Sequence, residues 1–125
     1  MRGDINRQCL EKILSYSDRA IALLKKCNYD YETFRSDEFY LSISMIEMQI
    51  GEITNHFTTE FKTETKDEIP WNLIKSMRNL FAHAYDGMDS KVIWDTAVND
   101  IPILKSFCET YLKENLGEES DDLHY

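Results

Sequence analysis

"FYLSISMIEMQIGEITNHF", residues 39 to 57, decides the fold class. Phe39, Ile43, Ile46, Ile50, Ile53 and Phe57 follow one another by four, three, four, three and four positions. That rhythm keeps the apolar side chains on one side of a helix turning 3.6 residues at a time. A half-buried strand would alternate every second residue instead. The stretch therefore predicts a long amphipathic helix. Ser36 is its expected N-cap, and Asp37 and Glu38 fall in the first turn, where carboxylates complement the positive end of the helix.

Working outward, a first helix is expected from an Asp4 cap to about Cys27. Leu10, Leu14, Ile21 and Leu24 lie on one side, and Cys9, Ile13, Tyr16, Ala20 and Leu23 widen that face. NYDYETFR, residues 28 to 35, breaks the pattern. TTEFKTETKDE, residues 58 to 68, is polar and aperiodic and is expected to be a loop. Pro70 suits the first turn of the next helix, because a proline there forfeits no intrahelical bond. On a wheel of that helix Leu73, Ile74, Met77, Leu80, Phe81 and Ala84 share one arc of roughly 120°. Asp89 is the expected cap of a last segment whose stripe, Ile93, Ala97, Ile101, Leu104, Cys108 and Tyr111, runs straight across Pro102. A kinked helix and two abutting helices both fit that stripe. The expectation is an all-α, antiparallel up-and-down bundle of four to five helices in a single domain, residues 1–116. The acidic residues 117–125 carry no stripe and read as a disordered tail.

Composition agrees. A chain of 125 residues with 42% hydrophobic and 12% aromatic content can bury a core and is not wholly disordered. Two prolines, four glycines and no alternating β-branched runs favour helices. No apolar run approaches the ~18 residues of a membrane span, and MRGDINRQ lacks a signal-peptide core, so a cytoplasmic, non-membrane protein is expected. Cys9, Cys27 and Cys108 form no CxxC pair and sit among apolar residues, as buried thiols do. His56, His83 and His124 are widely separated, which offers no metal cluster. A net charge of −9 argues against a duplex-DNA binder, which needs a basic stripe, but leaves room for a local basic site.

"MRNLFAHAYDG", residues 77 to 87, sets Arg78, Asn79, His83 and Tyr85 at the end of the Pro70 helix, before a helix-stopping Gly87. Arg78, Asn79 and His83 fall outside the core arc. Asn79 and His83 are four apart, so the amide can fix the imidazole. Arg78 and Tyr85, seven apart, share a side. Arg78 and His83 diverge by roughly 140°, too far to clasp one small group within a single helix. A second copy in a symmetric homodimer would bring paired Arg and His into one cleft. Glu52, in IGEI, is placed either to orient Arg78 across the helix pair or to stand as a solvated carboxylate.

The pattern R-x4-H-x-Y at Arg78, His83 and Tyr85 resembles the signature of HepT-like toxins, a branch of the HEPN superfamily. IGEI (50–53), IPW (69–71), MRN (77–79) and VIW (92–94) stand in that family's order and at about its spacing, over roughly residues 5–113. The resemblance implies a helical dimer acting as a metal-independent endoribonuclease with no cofactor, and Arg78 and His83 as catalytic residues with Asn79 beside them. It also implies a type VII-like toxin–antitoxin pair, in which an MNT-type nucleotidyltransferase antitoxin transfers AMP to Tyr85. The chemistry is coherent. Cleaving RNA through its own 2′-hydroxyl needs a base, an acid and positive charge. Histidine serves either proton role, and the arginine fork matches phosphate oxygens. A non-catalytic HEPN dimer serving as scaffold for the nucleotidyltransferase is the alternative, and an unrelated helical adaptor the third reading. The chain is not itself the transferase: it lacks a Gly-Ser strand-turn motif with paired aspartates, and it lacks a P-loop.

Overall fold

The computed structural model describes residues 2–36, 38–79 and 90–116, and every described element is helical. α1 runs Arg2–Lys26. It starts two residues ahead of the expected Asp4 cap, within the usual variation of a helix end. Cys9, Leu10, Ile13, Ala20 and Leu24 are buried as the period requires, with Leu14, Tyr16, Ile21 and Leu23 partly buried beside them. The helix ends in a Schellman motif: the Tyr29 amide donates to the Leu24 carbonyl at 2.8 Å and the Asn28 amide to that of Lys25 at 2.9 Å. Asn28 takes φ 58° and Tyr29 φ 54°. Asparagine tolerates that left-handed region, whereas tyrosine rarely enters it.

The expected break at 28–35 contains a helix, α2 (Tyr31–Ser36). Asp30 Oδ2 accepts from the Thr33 amide at 3.0 Å and from the Thr33 hydroxyl at 2.7 Å, which caps it. Ser36 therefore closes α2 instead of capping the next helix, its hydroxyl donating to the Thr33 carbonyl. Asp37 lies outside the described residues. α3 spans Phe39–Ile53, with Glu38 at the N-cap position and no side-chain capping bond. Its stripe is buried at Ile43, Ile46, Ile50 and Ile53, and a 3₁₀ turn at Thr54–His56 carries the chain to buried Phe57.

The expected 58–68 loop contains α4 (Thr59–Thr65). The Thr58 hydroxyl accepts from the Phe61 amide at 3.1 Å, while Asn6 brackets Thr58 from α1. Phe61 then enters an aromatic cluster with Phe57, Trp71, Phe107 and Tyr111, with centroids 4.5–5.8 Å apart for its pairs with Phe57, Trp71 and Tyr111. Burying those rings is what holds so short a helix. The expectation of four to five helices thus grows by two short ones.

Pro70 occupies the N-cap position of α5 (Trp71–Lys75), its carbonyl accepting from the amides of Leu73 and Ile74. A 3₁₀ turn, Ser76–Asn79, follows directly. This changes the wheel. Trp71, Ile74 and Met77 are buried at a step of three, the period of tighter winding. Leu73, expected in the core arc, is 68% exposed. Leu80, Phe81 and Ala84 of the same arc, and the Asp89 cap, lie outside the described residues.

α6 (Ser90–Asp95), a π-helical turn at Thr96–Asp100 and α7 (Ile101–Tyr111) form the last run. The wide turn ends where Pro102 begins α7, so the stripe survives without a hydrogen bond being asked of the proline. Ile93, Ala97, Ile101, Leu104 and Cys108 are buried. α7 packs along α1, where Lys105 Nζ meets Asp18 Oδ1 at 2.8 Å, and α3 packs against α1 as well. The three cysteines are buried free thiols, and burial pushes that of Cys108 up to about 12. Among the described residues, no helix is long and apolar enough to cross a membrane.

Candidate functional site

The site is built where α3 meets the Ser76–Asn79 turn. Ile50 and Ile53 point into the core, which turns Gly51 toward the turn and Glu52 outward. A Cβ on Gly51 would stand 2.5 Å from the Arg78 amide nitrogen, 3.0 Å from the Lys75 carbonyl oxygen and 3.1 Å from the Arg78 Cα. Only glycine permits this backbone-on-backbone approach. Its carbonyl is also occupied, accepting from the Thr54 hydroxyl at 2.7 Å.

With the backbones this close, the side chains beside them must meet. Arg78 Nη1 lies 3.5 Å from Glu52 Oε1, with the two side chains 45% and 53% exposed. At that exposure the ion pair adds little stability. What it does is orient: one carboxylate engages one edge of a planar fork and leaves donors directed to solvent, where phosphate oxygens would be met.

The turn is anchored from behind. Trp71 Nε1 donates to the Thr65 hydroxyl at 2.8 Å, which in turn donates to the Phe61 carbonyl at 2.8 Å. The Ser76 hydroxyl donates to the Leu73 carbonyl at 2.6 Å, steadying the change from α to 3₁₀ winding. Asn79 is exposed at the end of that turn. His83 and Tyr85 lie outside the described residues. Arg35 sits on α2 and pairs with Glu32 at 3.4 Å.

One acidic residue near α6 and α7 escapes notice in the sequence. Glu47 is fully buried, and neither carboxylate oxygen has a hydrogen-bond partner among the described residues. Burial, and then the negative charge of Asp100, hold its carboxyl well above the usual range, which favours the protonated form. Its register was the available signal: it stands four after Ile43 and three before Ile50, on the core arc.

Comparison with known proteins shows the family. A family model described as Ribonuclease HepT-like matches residues 8–111. A probable ribonuclease HepT of Thermococcus cleftensis is 41% identical over 64 residues, 51% of this chain and 57% of that protein; in that match the chain spans little more than half of its relative. A putative RNase of Methanocaldococcus jannaschii is 30% identical over 116 residues, 91% of this chain and 93% of that protein. A putative RNase of Caldanaerobacter subterraneus subsp. tengcongensis is 31% identical over 114 residues, covering 90% and 96%. No solved structure matches the chain at a significant level. The chain belongs to the HepT-like ribonuclease family.

Proposed function

We propose that this protein is the toxin of a toxin–antitoxin pair, a metal-independent endoribonuclease working as a cytoplasmic homodimer. The observation that carries the reading is the arginine of the R-x4-H-x-Y pattern, held at the surface by Glu52 over the Gly51 crossing. Arg78 neutralises the phosphorane that forms when a 2′-hydroxyl attacks its own phosphate. His83 from each subunit supplies the proton chemistry, one imidazole as base and the other as acid, and Asn79 fixes the ring. No cofactor enters this scheme.

An MNT-type nucleotidyltransferase antitoxin neutralises the toxin by placing AMP on Tyr85. The adduct's phosphate competes for Arg78, so modification and RNA binding exclude one another. Residues 1–116 act as the one domain.

The test is expression without a partner. Growth should slow, and Arg78→Ala and His83→Ala should each abolish the effect while folding normally. If His83→Ala slows growth as strongly as the wild type, the ribonuclease mechanism is wrong and the role of a scaffold for the nucleotidyltransferase takes its place.

A further inference from the structure

Three of the six cations of α1 are in register. Lys12, Arg19 and Lys26 recur every seven residues, so they share one side of the helix at about 10.5 Å intervals. That side faces the groove between α1 and α3. At one end Lys12, Tyr16 and Arg19 line a polar cleft of about 420 Å³ together with Glu52 and His56. At the other, Arg19 and Lys26 flank an apolar hollow of about 770 Å³ floored by Leu23, Leu41 and Met45. Arg19 belongs to both and makes the groove continuous.

Glu52 is the only acid among these lining residues, and it is the one paired with Arg78. Of the acids of α1, Glu11 pairs with Arg7, and Asp18 with Lys105 of α7. In a chain of net charge −9 this groove is a local positive track, and it reaches Glu52, the ion-pair partner of Arg78. The Arg19 guanidinium also lies over the Tyr16 ring, 5.4 Å from its centroid. That pair offers a flat face of the kind on which unpaired bases stack.

We propose that the α1–α3 groove is the substrate track for single-stranded RNA. Lys12, Arg19 and Lys26 take successive stretches of backbone, a base stacks on the Arg19–Tyr16 pair, and the Leu23–Leu41–Met45 hollow receives another. This rests on the ribonuclease reading and extends it: the groove sets which RNA is held, while Arg78 acts on it. Duplexes are disfavoured, because their bases are not free to stack or to enter the hollow.

Fluorescence anisotropy with a short labelled 2′-O-methyl RNA tests this, since that probe lacks the attacking hydroxyl and is not consumed. Lys12→Ala/Arg19→Ala/Lys26→Ala should weaken binding at least tenfold at low salt. It should also reduce the slope of log affinity against log salt by about 2, as loss of three phosphate contacts requires. Circular dichroism and light scattering accompany each protein. If the wild type binds and cleaves RNA while the triple variant keeps its affinity and slope, the track is wrong and the ribonuclease reading stands. If the wild type binds no RNA, both fall. If the triple variant turns a wild-type dimer into monomers, the groove is covered by a second copy and the track is overturned.

Discussion

Gly51→Ala is the sharpest structural perturbation available. In an unhindered helix interior the change stabilises by about 0.8–1.0 kcal/mol, because alanine loses less backbone freedom on folding. Here the new methyl would lie 2.5 Å from the Arg78 amide nitrogen, against about 3.4 Å for ordinary contact, so roughly 0.9 Å must open between α3 and the turn. The obstructing atoms are backbone on every side and cannot rotate away. Overpacking of this kind costs about 1–3 kcal/mol, which cancels or exceeds the propensity gain and leaves a net loss of up to about 2 kcal/mol. The functional cost is larger. A shift near 1 Å carries Arg78 off Glu52 and away from the phosphate it is to meet, and misplacement on that scale costs about 10²-fold in rate. Urea melts and RNA cleavage by the purified variant measure both. A variant more stable than wild type by about 1 kcal/mol, with undiminished cleavage, would refute the close crossing and the positioning role assigned to it.

Glu47 makes stability depend on pH in an unusual direction. Its folded pKa is raised above the ordinary 4.5, so its contribution is complete below that value and is lost as pH rises toward the folded pKa. Within that window wild type should lose up to about 1.4 kcal/mol per pH unit relative to Glu47→Gln; equal slopes in paired urea melts would show that Glu47 is not buried neutral. For Tyr85, co-expression with a cognate nucleotidyltransferase and ATP should place AMP on that residue ahead of the other tyrosines, detected by peptide mass spectrometry. Tyr85→Phe should stay toxic yet resist enzymatic neutralisation, and label found only on another tyrosine would sink the proposal.

What the sequence disclosed depended on length of pattern. The stripe of α3 is long enough for its period to be unambiguous, and the stripe from Ile93 to Cys108 stayed legible across a proline. α2 and α4 are too short for a period, and only their caps, Asp30 and Thr58, could have announced them. Ser36 was mistaken for a cap because a residue that ends one helix just before another has the same neighbours as one that begins it. Leu73 was misplaced because the wheel assumed α winding beyond Lys75, where the chain tightens to three residues per turn. A glycine inside an apolar helix signals close approach, but nothing in the sequence says which segment approaches Gly51. Glu47 was passed over because a glutamate is assumed to be solvated unless its register is checked.

The proposed ribonuclease site uses Arg78 and needs no metal. The direct measurement is cleavage of single-stranded RNA by the purified protein in excess chelator, with Arg78→Ala alongside. Cleavage by the wild type, undiminished by the chelator and lost in the variant, is the predicted result. Cleavage that stops with chelation, or that Arg78→Ala retains in full, would contradict the account.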